Sequence, residues 1–202
     1  MTRKLIKVCG LTDAANIRAV EALGADFVGF IFYPPSPRCA PDTPPDLPAG
    51  KPRVGVFVNA PAEEILRRRK AYGLTFAQLH GDESPAFCRE LRKEMPVIKA
   101  FGVGAELPDT ASWEGVCDYF LFDTKTAAWG GSGRSFNWTV LDTYQGRTPF
   151  LLGGGIGPES AEVLAGLRHP LLAGFDLNSR FESAPGMKDI SKLEPFFKKI
   201  RK

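Results

Sequence analysis

The sequence predicts an α/β protein, a single closed (β/α)8 barrel of the TIM type, on three observations. Short apolar runs rich in Val, Ile and Phe alternate with amphipathic stretches along the chain, the pattern of βα units feeding a parallel sheet. Eight such runs occur, each ending in a polar or Gly-rich loop, and eight units close a barrel more naturally than they build an open sheet. Neither a linker nor a fixed-period repeat divides the 202 residues, so residues 1–202 read as one domain, short for this fold.

Taken in order, residues 5–9 form the first strand, with Gly10 and then Thr12-Asp13 as the cap of a helix over 14–23. Residues 27–32 and 54–58 are the next strands, and Pro61 opens a helix to Tyr72 at its first turn. Residues 76–80 precede a helix started by Ser84-Pro85 and running to about Glu94. Strands five to eight fall at 97–101, 119–123, 150–152 and 173–177, and a last helix covers 190–200. Two connections break the pattern. The proline-rich stretch 34–52 leaves the second helix short, irregular or absent, and 106–114 is too short for a full fifth helix.

Composition narrows the function. Hydrophobic content of 44% and charged content of 24% are ordinary for a globular protein. A net charge of +3 is mild, and its densest basic runs, 67–70 and 198–202, read as solvated helix faces rather than a nucleic-acid patch. A basic balance still suits a small anionic substrate. Cys9, Cys39, Cys88 and Cys117 include no C-x-x-C pair and the histidines are His80 and His169 alone, which argues against zinc or iron–sulfur chemistry. Free thiols, no apolar signal core at the start and no apolar run of about 18 residues give the expectation of a cytoplasmic protein that neither spans nor binds a membrane.

In a barrel of this kind, catalytic groups lie at the C-terminal ends of the strands. Gly153-Gly154-Gly155-Ile156-Gly157 follows strand seven and precedes a helix opening at Pro158, a place where glycine amides approach a phosphate closely. Ser179, after strand eight, adds a hydroxyl; the alternative is a tight turn that merely needs glycines. Cys9 ends strand one, either as a small buried hydrophobe or as a thiolate base. Asp123 ends an apolar strand, either capping the following loop through Thr124 or Thr126 or acting as an acid. Arg38 either grips a carboxylate or reaches solvent, and His80 reads as a hydrogen-bonded structural residue for which the sequence names no partner.

The segments Lys7-Val8-Cys9-Gly10-Leu11-Thr12, Gly29-Phe30-Ile31-Phe32-Tyr33-Pro34-Pro35-Ser36-Pro37-Arg38 and Gln78-Leu79-His80-Gly81-Asp82-Glu83 closely resemble the phosphoribosylanthranilate isomerases. So do Asp123-Thr124-Lys125-Thr126, Gly130-Gly131-Ser132-Gly133, Gly153-Gly154-Gly155-Ile156 and Asp176-Leu177-Asn178-Ser179, followed by Glu182-Ser183-Ala184-Pro185-Gly186-Met187-Lys188-Asp189. The resemblance covers nearly the whole chain. It implies an Amadori rearrangement of N-(5′-phosphoribosyl)anthranilate in tryptophan biosynthesis, catalysed without metal or organic cofactor by a monomer or homodimer. It further implies Asp123 as general acid, Cys9 as general base and Arg38 at the anthranilate carboxylate. The phosphate would be held by Gly154, Gly155, Asp176, Asn178 and Ser179, with His80 and Arg180 as accessory residues. Many members carry Gly-Val where this chain has Arg180-Phe181, so Arg180 is expected either to add a cationic phosphate contact or to point to solvent. The related histidine-pathway isomerase resembles a family with an aspartate as strand-one base and a substrate of two phosphates. Cys9 and the single Gly-rich cradle argue against it, and a purely binding barrel would not need both Cys9 and Asp123.

Overall fold

A computed structural model describes residues 3–47, 50–125 and 136–202. The expected closed barrel is present: β1 (Leu5–Val8), β2 (Phe27–Ile31), β3 (Arg53–Phe57), β4 (Phe76–Leu79), β5 (Val97–Val103), β6 (Tyr119–Thr124), β7 (Phe150–Leu152) and β8 (Leu172–Leu177) pair in chain order. Every pairing is parallel, and β1 closes the ring on β8 with Lys7 opposite Asp176. Parallel strands buried on both faces must be apolar nearly throughout. Phe27, Val54, Ile98, Ala100, Leu121 and Leu151 accordingly fill the barrel interior, and a larger apolar layer joins the outer strand faces to the helices.

The helices are α1 (Ala14–Ala22), α2 (Ala62–Tyr72), α3 (Pro85–Arg92), α4 (Ala161–Gly166) and α5 (Ile190–Ile200). Asp13 caps α1 by accepting from the Asn16 amide, and Ser84 caps α3 by accepting from Phe87. Pro61 stands at the cap of α2, one residue before the position the sequence suggested, and Gly73 ends that helix with φ 61. The second connection has no helix among the described residues. Its prolines form turns in which Ala40 donates to Ile31, while Pro41 accepts from the Tyr72 hydroxyl and ties the loop to α2. The fifth connection contains only a 3-10 turn, Ala111–Trp113. The sixth also offers only a 3-10 segment among the described residues, Trp138–Thr143, an irregularity the sequence did not signal.

After β8 comes a small antiparallel hairpin, β9 (Glu182–Ala184) and β10 (Met187–Lys188), joined through Gly186 at φ 87. Asn16 of α1 pins it from both sides, donating to the Lys188 carbonyl and accepting from the Lys188 amide at 2.8 Å each. No helix among the described residues is long and apolar enough to cross a membrane.

Candidate active site

The strand ends open into a cavity of about 780 Å³ whose wall includes Cys9, Arg38, His80, Asp123, Asp176 and Ser179. Gly154, Gly155 and Asn178 line the same cavity. Ten of the sequence-derived candidates are therefore nine neighbours and one outsider. Arg180 is not in the wall; its Nη2 lies 3.0 Å from Glu159 Oε1, beside the loop after β7. Thr126 and the run 130–133 lie outside the described residues.

One side of the cavity is a tight cluster of charge. Lys7, wholly buried inside the barrel, donates to both carboxylate oxygens of Asp176 at 2.9 Å. Cys9 follows two residues along on the same face of the strand, with its own amide bonded to Leu177. Burial pushes the Cys9 thiol above its ordinary value, and the nearby Lys7 ammonium pulls it back. Gly29 gives the sulfur room, since a Cβ there would stand 2.8 Å from Sγ. Lys188, on the hairpin, reaches Asn178 Oδ1 at 2.8 Å and Glu182 Oε1 at 2.6 Å. Burial lowers its pKa, with Glu182 and Cys9 opposing. Arg38 in turn donates from Nε and Nη2 to Glu182 at 2.8–2.9 Å, so one carboxylate holds two cations.

Across the cavity, β6 presents Asp123. Its Oδ1 accepts from the Thr124 amide at 2.7 Å, which is the local capping contact weighed from sequence, while Oδ2 faces His80 Nε2 at 3.5 Å. The capping contact therefore leaves Oδ2 directed to His80. Burial raises its pKa, favouring a carboxyl that keeps a proton. Burial, and next the Lys7 charge, push His80 down to about 4, so the imidazole is neutral near pH 7. Gln78 Nε2 stands 3.2 Å from His80 Nδ1. Donation from that amide places the imidazole proton on Nε2, toward Asp123.

The third part is the loop after β7. Gly154 and Gly155 have φ values of 78 and 65, a left-handed path that glycine takes at no steric cost. A Cβ on Gly154 would collide with Thr124 and stand 2.9 Å from Asp123 Oδ1, so the loop packs directly against Asp123. Ser179 starts a 3-10 turn, Ser179–Phe181, on the neighbouring loop. Among the described residues no group of three or more His, Cys, Asp or Glu is placed to hold a metal ion.

A family model described as N-(5'phosphoribosyl)anthranilate (PRA) isomerase matches residues 6–199. The chain belongs to that family. It is 47% identical to the N-(5'-phosphoribosyl)anthranilate isomerase of Phocaeicola vulgatus, over 98% of both chains. The crystal structure of phosphoribosyl anthranilate isomerase from Thermus thermophilus superposes with a TM-score of 0.84 at 34% identity, covering 97% of this chain and 98% of that one. A family structure in complex with reduced 1-(o-carboxyphenylamino)-1-deoxyribulose 5-phosphate superposes with a TM-score of 0.78 at 31% identity, covering 98% of each.

Within this member of the family, sequence reasoning overlooked Lys7, Gln78, Glu182 and Lys188. Lys7 and Gln78 carried a usable signal. Each is a polar residue inside an apolar strand run, in phase with Cys9 and His80 respectively, the same argument that singled out Asp123. Glu182 and Lys188 had none beyond the quoted segment, because a hairpin of such short strands shows no alternation.

Proposed function

We propose that this chain converts N-(5′-phosphoribosyl)anthranilate to 1-(2-carboxyphenylamino)-1-deoxyribulose 5-phosphate, a step of tryptophan biosynthesis, with Asp123 as general acid and Cys9 as general base. The observation that carries this reading is one cavity wall that holds the Cys9 thiol, the Asp123 carboxyl, whose pKa burial raises, the Arg38 guanidinium and the glycine-rich loop.

Asp123 protonates the ribose ring oxygen, the C1–O bond breaks, and the anilino nitrogen lone pair completes a protonated Schiff base. That iminium is an electron sink, so the C2 proton becomes acidic enough for a thiolate to remove. The C2–H electron pair forms the C1–C2 double bond of an enolamine. Tautomerisation then moves the C2 hydroxyl proton away and protonates C1, giving the ketone. Atoms balance without a cofactor.

Arg38 receives the anthranilate carboxylate, and the amides of Gly154 and Gly155 with Asn178 and Ser179 receive the phosphate. Asp176 borders the phosphate site while clamping Lys7, and His80 orients toward Asp123 from the side. Arg180 steadies Glu159 at the edge of the phosphate loop. Every group comes from one chain, residues 1–202 working as one catalytic barrel, so a monomer and a homodimer are equally competent. Such a reaction, on a soluble phosphosugar, fits the cytoplasm.

Incubation with freshly generated substrate and chromatographic detection of the ketose product tests the reading. Product formation well above buffer is expected. Substrate loss at the buffer rate would remove the activity from this chain.

A further inference from the structure

We propose that Lys7 is a positioning residue for the base: a buried counter-ion, clamped by Asp176, that sets how readily the Cys9 thiol ionises. The proposal deepens the reading of Cys9 above and rests on it for the kinetic part of its test.

A lysine with no solvent exposure inside a barrel is tolerated only when its charge is matched. Here the match is made by the residue directly opposite in the β1–β8 ladder, Asp176, through both oxygens at 2.9 Å. Alternation along β1 turns Leu5, Lys7 and Cys9 toward the barrel interior, so Lys7 is the next inward position below Cys9, and Asp176 and Cys9 both line the cavity. The Lys7 ammonium acts electrostatically on the Cys9 side chain as well as on Asp176. Burial works against its charge, yet these two partners outweigh burial and hold the pKa above the ordinary lysine value.

The remaining charges around Cys9 are accounted for separately. Lys188, from the hairpin, and Arg38, from the loop after β2, share the Glu182 carboxylate. β2 itself presents Gly29, with no side chain, and Asp123 and His80 stand on β6 and just after β4. Asp176 is thus paired with Lys7 below Cys9 on the inward face, and its carboxyl, raised by burial, is held down by that cation. Removing Lys7 takes the cation away from beside the thiol, and removing Asp176 leaves the ammonium unmatched. A carboxylate left alone disfavours the thiolate; an ammonium left alone favours it.

The two single variants must therefore move the thiol in opposite directions, which loss of a merely structural contact does not do. The pH dependence of iodoacetamide alkylation, resolved at Cys9 by peptide mass spectrometry, reads this in the free protein. Lys7→Gln is expected to raise the midpoint by about one unit or more, and Asp176→Asn to lower it by a similar amount. Shifts in the same direction, or no shift in either variant, overturn the proposal. If Lys7→Gln does not fold, Asp176→Asn decides by its sign: a lower midpoint supports the proposal, and an unchanged or higher one overturns it. The ascending limb of kcat/KM against pH, measured on the same variants, is expected to follow the alkylation midpoint. Opposite alkylation shifts with an unmoved limb would keep the Lys7 assignment and remove Cys9 as the base.

Discussion

The Arg38 guanidinium grips the Glu182 carboxylate through Nε and Nη2 at 2.8–2.9 Å, across 144 residues of chain. Both side chains are largely buried, at 14% and 5% exposure, so the cation stands at the cavity wall already oriented. Burial alone would raise the Glu182 pKa, but Arg38 and Lys188 outweigh it and keep the carboxyl below its usual range. Orientation before binding lowers the entropy cost of engaging a carboxylate. Charge-assisted hydrogen bonds are worth about 1.5–3 kcal/mol. Arg38→Met is therefore expected to raise KM by roughly ten- to a hundredfold with a smaller effect on kcat. A product analogue lacking the carboxylate should lose a similar factor against the wild type and almost nothing against the variant. Equal losses against both proteins would place the carboxylate elsewhere.

Gly154 ties the loop after β7 to Asp123. Its φ of 78 and the approach of Thr124 and Asp123 leave no room for a methyl group. Gly154→Ala is expected to displace Asp123 as well as the loop, lowering kcat and raising KM together, and to destabilise the fold by about 1–3 kcal/mol. Steady-state kinetics beside a urea titration checks both parts; an increase in KM alone would separate the loop from the acid.

His80 gives a pH signature. Its pKa is held down to about 4 in the folded protein, against about 6.5 when unfolded. Between these values the unfolded chain binds the extra proton, so stability rises with pH across that window. The contribution is complete above pH 6.5 or so and is lost as pH falls toward 4. Wild type should lose on the order of 2 kcal/mol more than His80→Asn between pH 7 and pH 4.5. Equal losses in paired denaturation curves would mean that the imidazole is not held neutral.

Behind the barrel wall lies a second buried ion pair, Glu83 with Lys99. Glu83 accepts from the Asn59 and Gly81 amides and from Lys99 Nζ at 3.1 Å, and the two charged side chains are 3% and 4% exposed. Glu83→Ala strands a buried ammonium and is expected to cost about 3–5 kcal/mol, whereas Glu83→Gln should cost less because the acceptor oxygen remains. Chemical denaturation of both variants measures this; a loss below about 1 kcal/mol for alanine would contradict it.

Much of this fold could be read from local sequence because each strand is a short apolar run and each cap is a neighbouring side chain, as at Asp13 and Ser84. Strand ends define the mouth of a barrel, so identifying β1, β6 and β7 also placed Cys9, Asp123 and the glycines on one cavity. What stayed hidden was pairing over distance. Nothing local tells that Lys7 meets Asp176 or that Arg38 meets Glu182, since both contacts are created by ring closure and by the hairpin folding back. The 3-10 sixth connection, Trp138–Thr143, was not singled out from sequence, although its Trp, Thr, Val and Asp are weak helix formers. Arg180 shows the reverse case, a conspicuous cation that pairs with Glu159 and stays off the cavity wall.

Asp123 and Cys9 are proposed to act as an acid–base pair on N-(5′-phosphoribosyl)anthranilate. The most direct test follows the decay of anthranilate fluorescence on freshly made substrate with wild type, Cys9→Ala and Asp123→Asn side by side, after confirming that all three fold. Rapid decay with wild type and rates near buffer for both variants is the predicted result. Wild-type-like decay in either variant, or a wild type no faster than buffer, would contradict it.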